Sequence, residues 1–271
     1  MYLSYYNKKE LLPYKIIEVN DFEKRKVPIK KASIFFCTYN KQAVLPGTLY
    51  SITRQLSDVD YEICVADDCS DIDPESIIRK YVPDVKYYRY TEKQGFDVIY
   101  WNSMFSLISV DSEIVIIQSA DTIWSSDTLL DMMSTYVNKG QPVLVNTYNA
   151  NTLLNFINDD YEQLFNFYVN HFYDVLEEEK PVIRSNQERP MYPFLMAIMR
   201  TDLEKVLIGK PMCDVLFHLA LVEQGFNPLF IDTPIAIHQP HSDTWIKCSQ
   251  LETCEVDCKL KRHFEKEKDE I

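Results

Sequence analysis

Between Lys31 and Asp73 the chain alternates between two kinds of hydrophobic pattern. Residues 33–38 and 62–66 are short apolar runs, and each closes in a polar cluster, Thr38-Tyr39-Asn40 and Asp67-Asp68-Cys69-Ser70. A run of this length bounded by turn residues reads as a strand covered on both faces. Between them Val44, Leu45, Leu49, Ile52 and Leu56 recur at helical spacing, with Pro46 in the first turn. Strand, helix and strand make a βαβ unit with a right-handed crossover. Both polar clusters then fall at the carboxyl ends of parallel strands, where open α/β sheets bind ligands.

The same periodicities continue downstream. A short helix is expected over 74–81 with Asp73 as its cap, then a strand over 85–90 rich in β-formers. Helical spacing follows over 98–108, and residues 113–118 (EIVIIQ) form the most strand-like run of the chain. A helix over 126–137 and a strand over 142–148 come next. Residues 161–178 read as an aromatic, acidic helix, 193–199 as a strand, and 214–224 as a helix closed by Gly225. Residues 229–238 return as a strand, and the tail from Ser249 is charged and helical. With no composition shift between Lys31 and His241, the expected organisation is an extension over 1–31, one α/β domain over 32–247 and a charged tail over 248–271.

Composition narrows the classes. Only Gly47, Gly95, Gly140, Gly209 and Gly225 are glycines, none near another, so glycine-rich phosphate cradles are absent. A nucleotide would have to be held by side chains and a metal. The net charge of −13, with no basic stripe, argues against a nucleic-acid partner. Residues 1–31 are the local exception, with Lys8, Lys9, Lys15 and Lys24 among tyrosines. Such an arm can make peripheral contact with an anionic membrane; a solvated extension or docking strand is the plainer reading. Seven cysteines, with Cys37 and Cys64 inside expected strands, fit reduced thiols in a cytoplasmic protein. No apolar run reaches the length of a spanning helix, and none follows the N-terminal charges as a signal peptide would.

The Thr38-Tyr39-Asn40 turn, Leu45-Pro46, Leu49, Ser51 and Gln55, then Glu62-Ile63 and Asp67-Asp68 with Ser70, resemble the opening of inverting family-two glycosyltransferases of the GT-A fold. The resemblance implies a mostly parallel central sheet flanked by helices. It also implies that Thr38, Tyr39, Asn40, Asp67 and Asp68 hold the base and ribose of a nucleotide sugar. In that family a DxD-like motif follows the fourth strand, and its last carboxylate binds a divalent ion on the diphosphate. Ser119-Ala120-Asp121 stands there, so only the final Asp survives and Ser119 replaces the first. Mn²⁺ or Mg²⁺ tolerates one protein carboxylate, because phosphates and water fill the other octahedral positions. The family also places a carboxylate at the start of a helix, a glycine eleven residues on and a histidine thirteen beyond that. Asp214, Gly225 and His238 reproduce these intervals, while Cys213 and Ala220 replace a common Glu and Arg.

What these residues would do follows from the chemistry of inversion. One base takes the acceptor hydroxyl proton while the sugar–phosphate bond breaks on the opposite face, the part implied for Asp214. Asp121 and an ion, with His238 beside them, would draw charge from the departing diphosphate. The plain structural alternatives are helix caps for Asp121 and Asp214 and a satisfied histidine for His238. Cys248, Cys254, Cys258 and His263 lack a tight CxxC and read as incidental. The expected activity is transfer from a UDP- or dTDP-linked sugar to a hydroxyl of a glycan or lipid-linked glycan. The alternative is a catalytically impaired GT-A-like module that binds a sugar nucleotide or a partner.

Overall fold

The computed structural model describes residues 16–17, 24–95, 103–124, 126–149, 183–185, 195–206, 221 and 224–238. Its strands are β1 (Ile16–Ile17), β2 (Lys31–Thr38), β3 (Asp60–Asp67), β4 (Lys86–Arg89) and β5 (Ile114–Ser119). They continue with β6 (Thr122–Trp124), β7 (Val143–Asn149), β8 (Ile183–Ser185), β9 (Leu195–Met199) and β10 (Leu229–His238). Among the described residues, helices α1 (Leu45–Thr53), α2 (Glu75–Tyr81), α3 (Leu129–Tyr136) and α4 (Arg200–Val206) lie between them, and residues 103–107 are also helical.

The described strands join one sheet in the order β1-β8-β10-β7-β9-β5-β2-β3-β4, with β6 added against β10. β2 pairs in parallel with β3 and β5, β3 with β4, and β7 with β10. β6, β8 and β9 run against the rest, so the sheet is mixed but mostly of one direction. This α/β architecture is the GT-A fold. Its consequence is positional: β2, β3, β4, β5, β7 and β10 all end at one edge.

Period-two alternation explains the double burial. On β2, Ala32, Ile34 and Phe36 enter a core with Leu45, Leu49 and Ile52 of α1 and Leu129, Leu130 and Met133 of α3. Phe35 and Cys37 point the other way, into a core with Met104, Met196, Ile198, Leu203 and Val206. Cys37 and Cys64 are free and buried, and burial pushes both thiols up, Cys64 to about 12. Among the described residues no helix is long and apolar enough to cross a membrane.

Most expected elements appear, with differences at their ends. The helix expected from 126 begins at Leu129, because Ser126 turns its hydroxyl to Thr128 and its carbonyl to Gln55. Asp73 accepts the Glu75 N–H at 2.9 Å, while the residue flanking α2 is Pro74. Asp121 caps no helix; β6, unforeseen, follows it. Gly225 has φ of +81°, and Phe226 N–H reaches back to Leu221 O at 3.0 Å, the six-to-one bond of a Schellman stop. Ile16–Ile17 of the N-terminal extension pairs with β8 and so contributes a strand. The helix expected over 161–178, nearly all of that expected over 214–224, residues 98–102 of that expected over 98–108 and the tail from Ser249 lie outside the described residues.

Candidate active site at the carboxyl edge of the sheet

Two left-handed residues shape the rim. Asn40 follows β2 with φ of +53°, and Cys69 follows β3 with φ of +60°. Asn tolerates this region because its short amide bonds locally. Here the Asn40 amide donates to Asp71 Oδ2 and accepts the Asp71 N–H, both at 2.9 Å, and its own N–H donates to Ser70 Oγ at 2.9 Å. Asn40 therefore ties the first strand-end loop to the second.

The adjacent carboxylates differ in surroundings. Asp67, with no exposed side-chain surface, accepts from Arg89 Nε at 3.1 Å and the Ser70 N–H at 3.0 Å, and also from Ser70 Oγ. Arg89 reaches on to the Ser70 carbonyl at 2.6 Å and to Asp73 at 3.3 Å. Asp67 is thus the buried end of a clamp on the turn after β3. Asp68 accepts the backbone N–H groups of Gln94 at 2.7 Å and Gly95 at 3.0 Å. Burial raises its pKa despite those bonds and the positive charge of Lys93. Lys93 Nζ lies 3.7 Å from the centre of the Tyr39 ring, a cation–π contact spanning the two loops. Thr38 Oγ1 is buried without a hydrogen-bond partner among the described residues, and so is Thr122 Oγ1.

The third strand end carries Asp121, almost wholly buried. One carboxylate oxygen accepts from Ser119 Oγ, and the other lies 3.0 Å from Lys41 Nζ. Polar residues of α1 hold this turn in place. Thr48 Oγ1 donates to Ala120 O at 2.9 Å, and Ser51 Oγ accepts the Trp124 N–H at 3.0 Å. Gln55 bridges the Ser126 carbonyl at 2.7 Å and the Leu130 N–H at 3.0 Å. Thr48 and Ser51 lie three residues apart on one flank of α1, so the helix that fills the core also aims Asp121, while Gln55 lies just past its end. The antiparallel register of β6 and β10 places His238 opposite Thr122, the residue after Asp121.

Thr38, Tyr39, Asn40, Asp67, Asp68, Ser119, Asp121 and, by backbone register, His238 therefore share one edge. Asp214 lies outside the described residues, as do Cys213 and Ala220. Among the described residues no group of three or more His, Cys, Asp and Glu is placed to hold a metal. Asp121 offers a single hard carboxylate oxygen pair beside the Ser119 hydroxyl, a donor set that suits Mg²⁺ or Mn²⁺ when other oxygens complete the shell. Sequence reasoning missed Lys41 and Arg89. Arg89 closes an expected strand, and Lys41 directly follows the Thr38-Tyr39-Asn40 turn, but their partners come from distant segments.

The comparisons agree with this geometry. A family model described as glycosyl transferase family 2 matches residues 33–207. Chondroitin synthase of Escherichia coli is 35% identical over 74 residues, 27% of this chain and 11% of that protein. Among solved structures, a mannosyltransferase of Pyrobaculum calidifontis in complex with GDP-Man and Mn²⁺ superposes with a TM-score of 0.57 and 18% identity, covering 91% of this chain and 66% of that one. S. aureus TarS 1-349 in complex with UDP-GlcNAc gives 0.52 and 16%, covering 78% of this chain and 59% of that one. The chain thus spans less than two thirds of each of these relatives. With the family model covering more than half of the sequence and the strand-end rim built as described, the chain belongs to glycosyl transferase family 2.

Proposed function

We propose that the protein is an inverting glycosyltransferase that moves a sugar from a UDP- or dTDP-linked donor to a hydroxyl of a glycan or lipid-linked glycan. The observation that carries the reading is the meeting of three parallel strand ends: Thr38-Tyr39 from β2, Asp68 from β3 and Ser119 with Asp121 from β5. In this reading the nucleoside lies between the first two loops. Thr38 Oγ1 and the Asp68 carboxylate face it, and the Tyr39 ring supplies a stacking surface once Lys93 moves aside. Asp67 and Asn40 hold the loops in register, which supplies orientation. Neighbours solved in complex with GDP-Man and Mn²⁺ and with UDP-GlcNAc support a sugar-nucleotide donor and a divalent ion.

Asp121, with Ser119 and His238 at the same edge, is the residue set that would hold Mn²⁺ or Mg²⁺. When bound, the ion supplies Lewis acidity to the departing diphosphate. Asp214 is assigned as the base for the acceptor hydroxyl. In the sequence it stands eleven residues before Gly225, and β10 ends at His238. Incubation with a panel of UDP-, dTDP- and GDP-sugars and Mn²⁺ tests the assignment by donor hydrolysis and transfer. Asp214→Asn is expected to lower turnover at least ~100-fold while donor binding stays within about threefold. Unchanged turnover would remove Asp214 from the mechanism.

One observation favours a second reading, a binding module without turnover: the lone carboxylate of the Ser119-Ala120-Asp121 turn is already matched by Lys41. Binding of a donor with no hydrolysis or transfer across the panel would select it.

A further inference from the structure

Three consecutive residues after β4, Lys93, Gln94 and Gly95, engage two groups that the proposed reading gives to the nucleoside. Lys93 Nζ stands over the Tyr39 ring, 3.7 Å from its centre. The Gln94 N–H donates to one oxygen of Asp68 at 2.7 Å, and the Gly95 N–H to the other at 3.0 Å. The Asp68 charge also acts on Lys93, so the ammonium covers the ring on the side of that carboxylate. A base would stack at about 3.5–4 Å from the ring, where the ammonium lies. Base and ammonium cannot share that face.

The two parts of this loop differ in what their release costs. Asp68 is 2% exposed, and lifting Gln94 and Gly95 would leave a buried carboxylate short of two donors. A carboxylate has about four acceptor positions, so Asp68 keeps room for a nucleoside donor with both amides in place. Lys93 is exposed, and a cation on an exposed ring is held weakly. Stacking of a base on an aromatic ring is the stronger contact, so the exchange runs toward the base.

We propose that Lys93 is a side-chain latch: its ammonium holds the stacking face of Tyr39 until a base expels it, while the backbone behind it stays clamped to Asp68. Nucleoside binding is then a competition for one ring face, and Lys93 sets how tightly the base is held. The inference rests on the sugar-nucleotide reading and adds the group that the base must displace.

Nuclear magnetic resonance of the full chain with labelled lysine side chains tests it, with Lys93 assigned by the resonance lost in Lys93→Arg. Its ε-methylene is expected upfield of the other lysines, under the ring current of Tyr39, and to return among them as UDP, dTDP or GDP saturates the site. The Gln94 and Gly95 amides are expected to keep their protection from hydrogen exchange throughout. Uridine has no phosphate for an ammonium to meet. Lys93→Ala is expected to bind it about two- to fivefold more tightly than wild type, and Lys93→Arg, which keeps a cation on the ring, no more tightly. A Lys93 resonance among the other lysines before nucleotide is added, or one still upfield at saturation, would overturn the latch. So would loss of the amide protection on saturation, or a Lys93→Ala protein that binds uridine no more tightly than wild type. The resonance decides alone if neither protein binds uridine measurably. In each of these cases nucleotide binding persists and the sugar-nucleotide reading stands. Absence of binding of UDP, dTDP and GDP to both wild type and Lys93→Ala would overturn that reading and the latch with it.

Discussion

Asp67 and Asp68 are neighbours in sequence and perform different work. Asp67 is enclosed against Arg89 and Ser70, and truncating one partner of such a pair strands the other. Asp67→Ala is expected to destabilise the protein by about 3 kcal/mol, the low end for buried pairs because Arg89 is partly solvated, and to lower Tm by roughly 6–12 °C in a thermal melt. Asp68 links stability to pH. Its folded pKa is raised, chiefly by burial, so its contribution to stability is lost as pH rises through the carboxylate range. Melts from pH 3 to 7 are expected to show Asp68→Asn gaining on wild type as pH rises, while its affinity for a sugar nucleotide falls. A constant offset between the two curves would remove the buried-carboxylate account. The sequence locates this acidic pair and its strand end, yet it does not divide the labour, because Arg89 arrives from another strand twenty-two positions later.

At the scale of elements, both ends of the β2/β3 pair are fastened by polar clusters. At the amino end, Glu62 accepts from Ser33 Oγ at 2.6 Å, from the Ser109 N–H at 2.6 Å and its Oγ at 2.5 Å, and from Lys86 Nζ at 2.8 Å. Burial alone would raise its pKa, but the hydrogen bonds from Lys86, Ser109 and Ser33 outweigh it and hold the carboxyl at about 2. The sign is that of a depressed acid. The stability is fully present above the unfolded value of ~4.3 and is lost as pH falls toward about 2. With solvent screening, Glu62→Gln is expected to cost about 1–2 kcal/mol at pH 7 by urea unfolding, with the difference closing as pH falls to about 2. Just past α1, Gln55 fastens the turn that leads into α3. Gln55→Ala would leave the Ser126 carbonyl and the Leu130 N–H unpaired in a buried turn, a loss of about 2 kcal/mol by the same measurement. The βαβ unit is legible from its periods alone. The three-residue β6 is not, since its pairing to β10 is made across more than a hundred residues and leaves no local pattern. Nor does the sequence reveal that β9 inserts antiparallel between β5 and β7, because strand order is a property of contacts rather than of spacing.

Taken whole, the proposed reading assigns one sheet edge to recognition and the rest to burial. The strands that share a direction deliver their carboxyl ends, and with them Thr38, Asp68, Asp121 and His238, to that edge. The sequence of this acidic chain has no glycine-rich phosphate-binding motif, so in the proposed reading side chains and an ion meet the diphosphate. The resemblance reaches these residues through their intervals, while the network that aims them, Thr48, Ser51 and Gln55 beneath Asp121 and Arg89 behind Asp67, emerges only in three dimensions. The most direct test of the rim as a sugar-nucleotide site is anomalous scattering from crystals grown with Mn²⁺ and a nucleoside diphosphate. The account predicts a manganese peak about 2.1 Å from an Asp121 carboxylate oxygen, with the base between the loops that follow β2 and β3. Manganese and nucleotide bound elsewhere, with the Asp121–Lys41 pair still closed, would contradict it.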